Sequence, residues 1–319
     1  MDSSFLDPYI RAIDAYFEGP LRRLIQSLGP PELSEPVLYS LLSGGKRIRP
    51  VLCLISSGYD PGENFDPFQL GPEEKRLFAH AAALECIHCY SLIHDDLPSM
   101  DDDDLRRGRP SSHRQFNEWA AILAGDALNT LSFYLTNQDR DSVSSQNSQI
   151  LSRCALRMVA GQYLDLSAEK GAFLESRRDF FQPHTDDERM QLLETIHLEK
   201  TAAMIEAALS MGAVLQGLPN HRSYAEFGRN LGLLFQMVDD VLDETQDSAT
   251  LGKTAGKDKK TGKLTLVSLL GLDEARVRIE KERRRLEERL EHLPVTHDVA
   301  RNPIPVLRSV VEYFASRDR

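Results

Sequence analysis

Cysteine is scarce: only four residues in 319, too few for a disulfide scaffold and in keeping with a reducing cytoplasm. Cys86 and Cys89 have C-x-x-C spacing, but they fall deep inside a helical pattern rather than at a helix N-terminus. Neither Cys53 nor Cys154 completes a second pair, so buried core thiols are expected rather than a redox or zinc centre. No run approaches the ~18 apolar residues of a membrane span, and Met1–Asp7 holds no basic region followed by an apolar one, so no secretory leader is expected. A basic surplus is also missing. Lys and Arg number 38 against 49 Asp and Glu, a net charge of −11, which argues against a general nucleic-acid binder. Strand-like alternation between turn signals is absent too.

What is present is helical. With 41% hydrophobic and 27% charged residues the chain can bury a sizeable core. Leu77, Ala81, Leu84, His88, Ser91 and Asp95 follow steps of three and four, as do Leu192, Ile196, Glu199, Ala203, Glu206 and Leu209. The pattern predicts roughly ten helices in one all-α bundle spanning residues 1–319. Gly-, Pro- and Asp-rich residues 58–72, polar residues 98–112 after the helix-stopping Pro98, and residues 169–187 and 244–263 read as loops. Residues 273–292 interleave acids and bases at i,i+4 distances, as an outer helix laced with ion pairs does.

Two acidic segments draw the eye. In His94-Asp95-Asp96-Leu97-Pro98-Ser99-Met100-Asp101, the aspartates close a helix, where the dipole favours cations rather than anions. Pro98 is expected to turn the chain so that Asp101 swings back toward Asp95. In Phe235-Gln236-Met237-Val238-Asp239-Asp240-Val241-Leu242-Asp243, Gln236, Asp239 and Asp243 share one face of a largely apolar helix. Carboxylates entering a buried region need a metal or cationic partners. All-oxygen ligands suit Mg²⁺, which bridges carboxylates and phosphates. The two clusters would then be opposite walls of a metal–diphosphate site.

Cations stand nearby. Gly44-Gly45-Lys46-Arg47-Ile48-Arg49 opens a helix after two glycines, a place for an anion; taken alone, Lys46-Arg47 reads equally as a surface turn. Arg106-Arg107-Gly108-Arg109 follows the first aspartates, and Lys253 follows the second. Lys200 and Thr201 lie inside a long apolar helix, where a lone lysine commonly reaches out to solvent.

Taken in order, these segments resemble the trans-prenyltransferases, most of all the bacterial-type farnesyl diphosphate synthases. The matching stretches are GGKRIRP at 44–50, ECIHCYSLIHDDLPSMDDDDLRRGRPSSH at 85–113, LAGDAL at 123–128, GQYLDL at 161–166, HLEKT at 197–201, FQMVDDVLD at 235–243 and GKTAGKD at 252–258. The resemblance implies an antiparallel helix bundle around one deep cavity, usually a homodimer. It implies Asp95, Asp101 and Asp239 as principal ligands of Mg²⁺, three ions with substrate bound, and Asp96, Asp240 and Asp243 as supporting acids. Arg106, Lys200 and Lys253 would hold the diphosphate of dimethylallyl or geranyl diphosphate. Lys46, Arg49, His88 and Arg107 would hold isopentenyl diphosphate, and Thr201 and Gln236 would face the reacting carbons. No His or Glu is placed as a base, so released diphosphate is the expected proton acceptor. The long 169–190 loop departs from the pattern, and the first ~35 residues carry no recognisable motif.

The implied reaction is head-to-tail condensation to farnesyl diphosphate, with geranylgeranyl diphosphate as the alternative product. Tyr90 and Ser91, five and four residues before Asp95, lie ~7.5 and ~6 Å along the helix from it. In the family, an aromatic at the first of these positions accompanies fifteen-carbon products. Two other readings compete: a terpene cyclase and an inactive partner subunit. Asp239-Asp240-x-x-Asp243 with the Lys46/Arg49 cluster counts against the cyclase, and retention of both acidic motifs counts against the inactive subunit.

Overall fold

The computed structural model describes residues 3–170, 183, 185–218, 220–245, 264–296 and 298–317. As expected, it is all-helical. Helices α1 (Asp7–Tyr16) and α2 (Arg22–Leu28) are one rod, joined through a wider π turn at Phe17–Leu21. Pro20, which has no N–H to give, lies in that turn. Next come α3 (Pro31–Leu41), α4 (Ile48–Ser56) and α5 (Pro72–Asp95). The start of α5 is set by Pro72 and by Glu74, which accepts from the Gly71 N–H at 2.7 Å. A short α6 (Ser112–Gln115) precedes α7 (Glu118–Thr136), capped by Asn117 accepting from Ala120 N–H. Then follow α8 (Ser142–Lys170) and α9 (Asp186–Ile196), the latter opened by a Thr185–Glu188 capping box.

A second π segment, His197–Ala202, runs α9 into α10 (Ala203–Leu215). The chain continues as α11 (His221–Thr245), α12 (Leu266–Leu270), α13 (Leu272–Leu290) and α14 (Ile304–Ala315). Counting rods joined through π turns once gives twelve among the described residues, against about ten expected. The excess is α6 and α12, each too short to print a period on the sequence.

The core sits around α10, where every residue from Ala203 to Val214 is buried, Glu206 and Ser210 included. A helix buried on all sides is a bundle's axis, and α4, α5, α8 and α11 pack around it. Two glycines let neighbours close on the π segment. A Cβ at Gly161 of α8 would meet Lys200 N at 2.2 Å, and one at Gly232 of α11 would meet Ala202 Cα at 2.4 Å. Backbone contact this tight fixes Lys200 and Thr201 between two helices.

Two expectations need correction. The loop expected at 169–190 is helical at both ends, since α8 runs to Lys170 and the Thr185 cap starts α9 at Asp186; residues 171–182 lie outside the described residues. Residues 98–112 are not loop throughout: β1 (Leu105–Arg106) pairs antiparallel with β2 (Arg109–Pro110), the only strands among the described residues. Arg107 (φ 54°) and Gly108 (φ 74°) make the turn, with left-handed backbone at both positions, the geometry two-residue hairpins favour. Among the described residues, no helix is long and apolar enough to cross a membrane.

Candidate active site

The first acidic segment folds as its sequence suggests. Helix α5 stops at Asp95, and the chain doubles back so that Asp101 N–H donates to Asp95 O at 2.9 Å and Asp103 N–H to Asp96 O at 3.2 Å. Carboxylates are thereby crowded at a helix C-terminus. Burial, with Asp101 and Asp96 adding, pushes Asp95 up to about 6, while Lys200 and Arg106 oppose. Burial also raises Asp96, but the Arg106 guanidinium grips it through Nε at 3.0 Å and through Nη2, and reaches Asp103 at 3.6 Å.

The second acidic segment occupies the last turns of α11. Asp239 Oδ1 pairs with Arg317 Nη2 at 2.9 Å. Asp240 is buried and turned inward, accepting from Leu266 N–H at 2.7 Å and Gln236 Nε2 at 3.3 Å, with His197 Nε2 at 3.4 Å. Asp243 is exposed. Thr201 Oγ1 donates to Gln236 Oε1 at 2.8 Å, so the π segment and α11 share one polar chain ending on Asp240. Lys200 Nζ pairs with Asp165 of α8 and lies near enough to Asp95 to influence it. It does not simply reach out to solvent.

The cationic corner has two layers. Arg47 is no surface residue: it is 3% exposed and pairs with buried Glu85 at 3.0 Å and with Asp14 at 2.9 Å. It therefore braces the corner from inside. Arg107, in its left-handed turn, reaches Ser43 Oγ at 3.1 Å and the Gly44 carbonyl, tying the hairpin to the Gly-Gly loop. Arg49 Nε is buried without a hydrogen-bond partner. Burial, with Arg107 adding, lowers Arg49. His88 is pushed well below its usual range by burial, then by Arg49, Arg107, Arg106 and Arg47, so it is neutral. Lys46 is exposed by surface area but is held down by partial burial and by Arg317, with Asp239 opposing. Arg49 and Arg107 repel one another and Arg317 repels Lys46, and an anion would relieve either pair.

Tyr90 is half-buried, its ring edge-on to His94 at 5.5 Å and 87°. His94 seats against α7, with Nε2 3.1 Å from Ile122 O, in a notch that a Cβ at Gly125 would fill at 2.2 Å. Ser91 Oγ donates back to His88 O at 2.9 Å. Lys253 lies outside the described residues.

Sequence reasoning missed Asp165, Arg317 and the Asp240 anchorage. Asp165 stood in the quoted GQYLDL stretch, three residues after Gln162 on one helix face, and could have been found there. For Arg317 no local signal existed. Among the described residues, no three His, Cys, Asp or Glu side chains converge to hold an ion by themselves. The donor set nonetheless fits Mg²⁺, which takes one or two carboxylates and completes its shell with water and phosphate oxygens.

A family model described as polyprenyl synthetase matches residues 30–301. Geranylgeranyl pyrophosphate synthase 11, chloroplastic, of Arabidopsis thaliana is 41% identical over 273 residues, covering 82% of this chain and 70% of that protein. Geranylgeranyl pyrophosphate synthase 4 of the same plant is 39% identical over 290 residues, covering 89% and 72%. Among solved structures, a geranyltransferase from Helicobacter pylori complexed with magnesium and isoprenyl diphosphate superposes with a TM-score of 0.72 at 30% identity, over 98% of this chain and 99% of that one. An FPP/GFPP synthase from Zymomonas mobilis gives 0.75 at 28% identity, over 98% and 100%.

Proposed function

The chain belongs to the polyprenyl synthetase family, and from that premise we propose that it joins dimethylallyl diphosphate, and then the resulting geranyl diphosphate, to isopentenyl diphosphate, each step releasing inorganic diphosphate and a proton, to give farnesyl diphosphate. The observation that carries this reading is charge placement. Carboxylates crowd at Asp95, Asp96 and Asp101, while Arg49 and Arg107 repel one another with neutral His88 beside them and Lys46 is repelled by Arg317. Such a site is incomplete without polyanions and divalent cations.

Asp95, Asp101 and Asp239 would hold Mg²⁺, three ions with substrate bound, and Asp243 would assist. When bound, Mg²⁺ supplies charge neutralisation to a departing diphosphate. Asp96 and Asp240 support differently: Asp96 orients Arg106, and Asp240 anchors Gln236. Lys200, aimed by Asp165, together with Arg106 and Lys253 would take the allylic diphosphate, and Lys46, Arg49, His88 and Arg107 the isopentenyl one. Donors already in place stabilise growing negative charge without reorganising. Thr201, whose hydroxyl donates to Gln236, would turn its oxygen lone pairs toward an allylic cation.

One helical unit would do this as a homodimer. Trp119, Ile122 and Leu123 on α7 and Leu156, Val159 and Tyr163 on α8 are exposed apolar side chains that a second copy would cover. The four free, buried cysteines are in keeping with a reducing compartment such as the cytoplasm.

The fifteen-carbon product rests on Tyr90, wedged beside His94 where a growing hydrocarbon would end. A second reading, geranylgeranyl diphosphate, is favoured by the names of the plant relatives. Incubation with both diphosphates and Mg²⁺, followed by chromatography of dephosphorylated products, decides between them. Farnesol is expected from the parent, and a product at least one five-carbon unit longer from Tyr90→Ala. Geranylgeraniol from the parent would establish the second reading, and an unchanged profile in active Tyr90→Ala would place the floor elsewhere. A cyclic hydrocarbon would make the protein a cyclase, and no product an inactive subunit.

A further inference from the structure

Arg317 lies just beyond α14, far in sequence from either acidic segment, yet it reaches the middle of the site. Its guanidinium pairs with Asp239 Oδ1 at 2.9 Å, with only 14% of the side chain exposed. The Phe235 ring, one helical turn before Asp239, lies 4.8 Å from the guanidinium carbon and carries it as a shelf. On the other side, the charge of Arg317 is felt by Lys46 of the cationic corner. One of its amino groups, Nη1, is buried with no hydrogen-bond partner. The arginine thus holds a carboxylate firmly while leaving a donor of its own unsatisfied, an arrangement whose loss costs less than that of a fully bonded fork.

We propose that Arg317 is the resident counter-cation of Asp239, which a divalent metal must displace before that carboxylate can serve as its ligand. This rests on reading Asp239 as a metal ligand. A dication on Asp239 and a guanidinium within hydrogen-bond reach of the same carboxylate repel strongly in a partly buried site. The two occupants therefore exclude each other. The unloaded enzyme keeps Asp239 neutralised, and metal affinity at this wall is set below what the carboxylate alone would give.

The test measures metal binding directly. Free Mn²⁺ is followed by electron paramagnetic resonance as it is titrated into the full chain with inorganic pyrophosphate present. The parent is compared with Arg317→Ala, Arg317→Lys, Asp239→Asn and the Arg317→Ala/Asp239→Asn double variant. Arg317→Ala is expected to bind its Asp239-dependent ion about threefold to tenfold more tightly, the range that losing a partly buried ion pair implies. Arg317→Lys, which keeps the charge, should stay near the parent, and the gain from Arg317→Ala should vanish when Asp239 is Asn. If Asp239→Asn weakens Mn²⁺ binding while Arg317→Ala leaves it unchanged or weakens it, the displacement idea is wrong and the metal wall stands. If Asp239→Asn changes nothing, the metal-ligand reading fails, and this proposal with it. Thermal melts of each variant show that the comparison is between folded proteins.

Discussion

The two acidic segments carry the same side chains and reach electrical balance by opposite routes. Around Asp95 the partners are mostly local: Asp101 and Asp103 fold back within one turn, Arg106 grips Asp96 from ten residues on, and only Lys200 comes from afar. Burial first, and the neighbouring acids after it, push Asp95 up to about 6. Around Asp239 and Asp240 the partners come from elsewhere in the fold: Arg317 beyond α14, His197 in the π segment and the N–H of Leu266 at the start of α12. Burial and local crowding leave the first segment with charge that the fold itself does not fully offset. Distant partners make the second wall a keystone of the fold.

The most drastic way to break this comparison is to remove one wall at a time. Asp95→Ala and Asp239→Ala should each lower turnover by a factor on the order of a thousand or more, because each removes charge stabilisation used chiefly in the transition state. Steady-state rates at saturating Mg²⁺ give the answer. A variant within tenfold of the parent would contradict the two-wall site. Next in size is the split between pockets. Arg49→Ala and His88→Ala should raise KM for isopentenyl diphosphate about tenfold, the loss of roughly one charge-assisted contact, with less effect on the allylic substrate. Lys253→Ala should do the reverse. Equal losses for both substrates in all three would erase the distinction.

Effects on stability are the sharpest, since they differ in sign. Asp95 is raised from 3.8 to about 6, so the folded, metal-free protein holds a proton that the unfolded chain releases. Stability therefore falls as pH rises from about 4 to about 6, and the cost is fully present above that window. Asp95→Asn should stabilise the metal-free protein at pH 7.5 by up to about 2–3 kcal/mol, with the gain shrinking toward pH 4. Asp240→Ala should destabilise it by about 1–3 kcal/mol, because Leu266 N–H and the Gln236 amide lose their buried acceptor. Urea unfolding at the two pH values measures both. Changes of the same sign would mean that the two segments do not differ in the way described.

Legibility in the sequence follows the same division. Helix periods, the stop at Pro98 and the return of Asp101 are short-range and could be read directly. The π turn at His197–Ala202 could not, since one extra residue in a helical turn changes hydrogen-bond register without a distinctive composition. Arg47 looked like half of a surface pair because its partners, Asp14 and Glu85, lie 33 and 38 residues away. The β1–β2 pair is two residues a side, shorter than any period. Arg317 and the roles of Asp240 depend on where α12 and α14 end up, a property of the packed bundle alone.

The buried thiols turn the molecule into its own clock. Cys53 and Cys89 are pushed up to about 12 and Cys154 to about 11, chiefly by burial, and Cys86 is raised well above its ordinary value. An alkylating reagent needs both access and thiolate, so in the native protein it finds neither. Labelling must wait for the chain to open, and its rate then reports that opening. Cys86 and Cys89 share α5 with Asp95, so slower labelling in the presence of pyrophosphate and Mg²⁺ would register, helix by helix, how strongly ligands clamp the first wall.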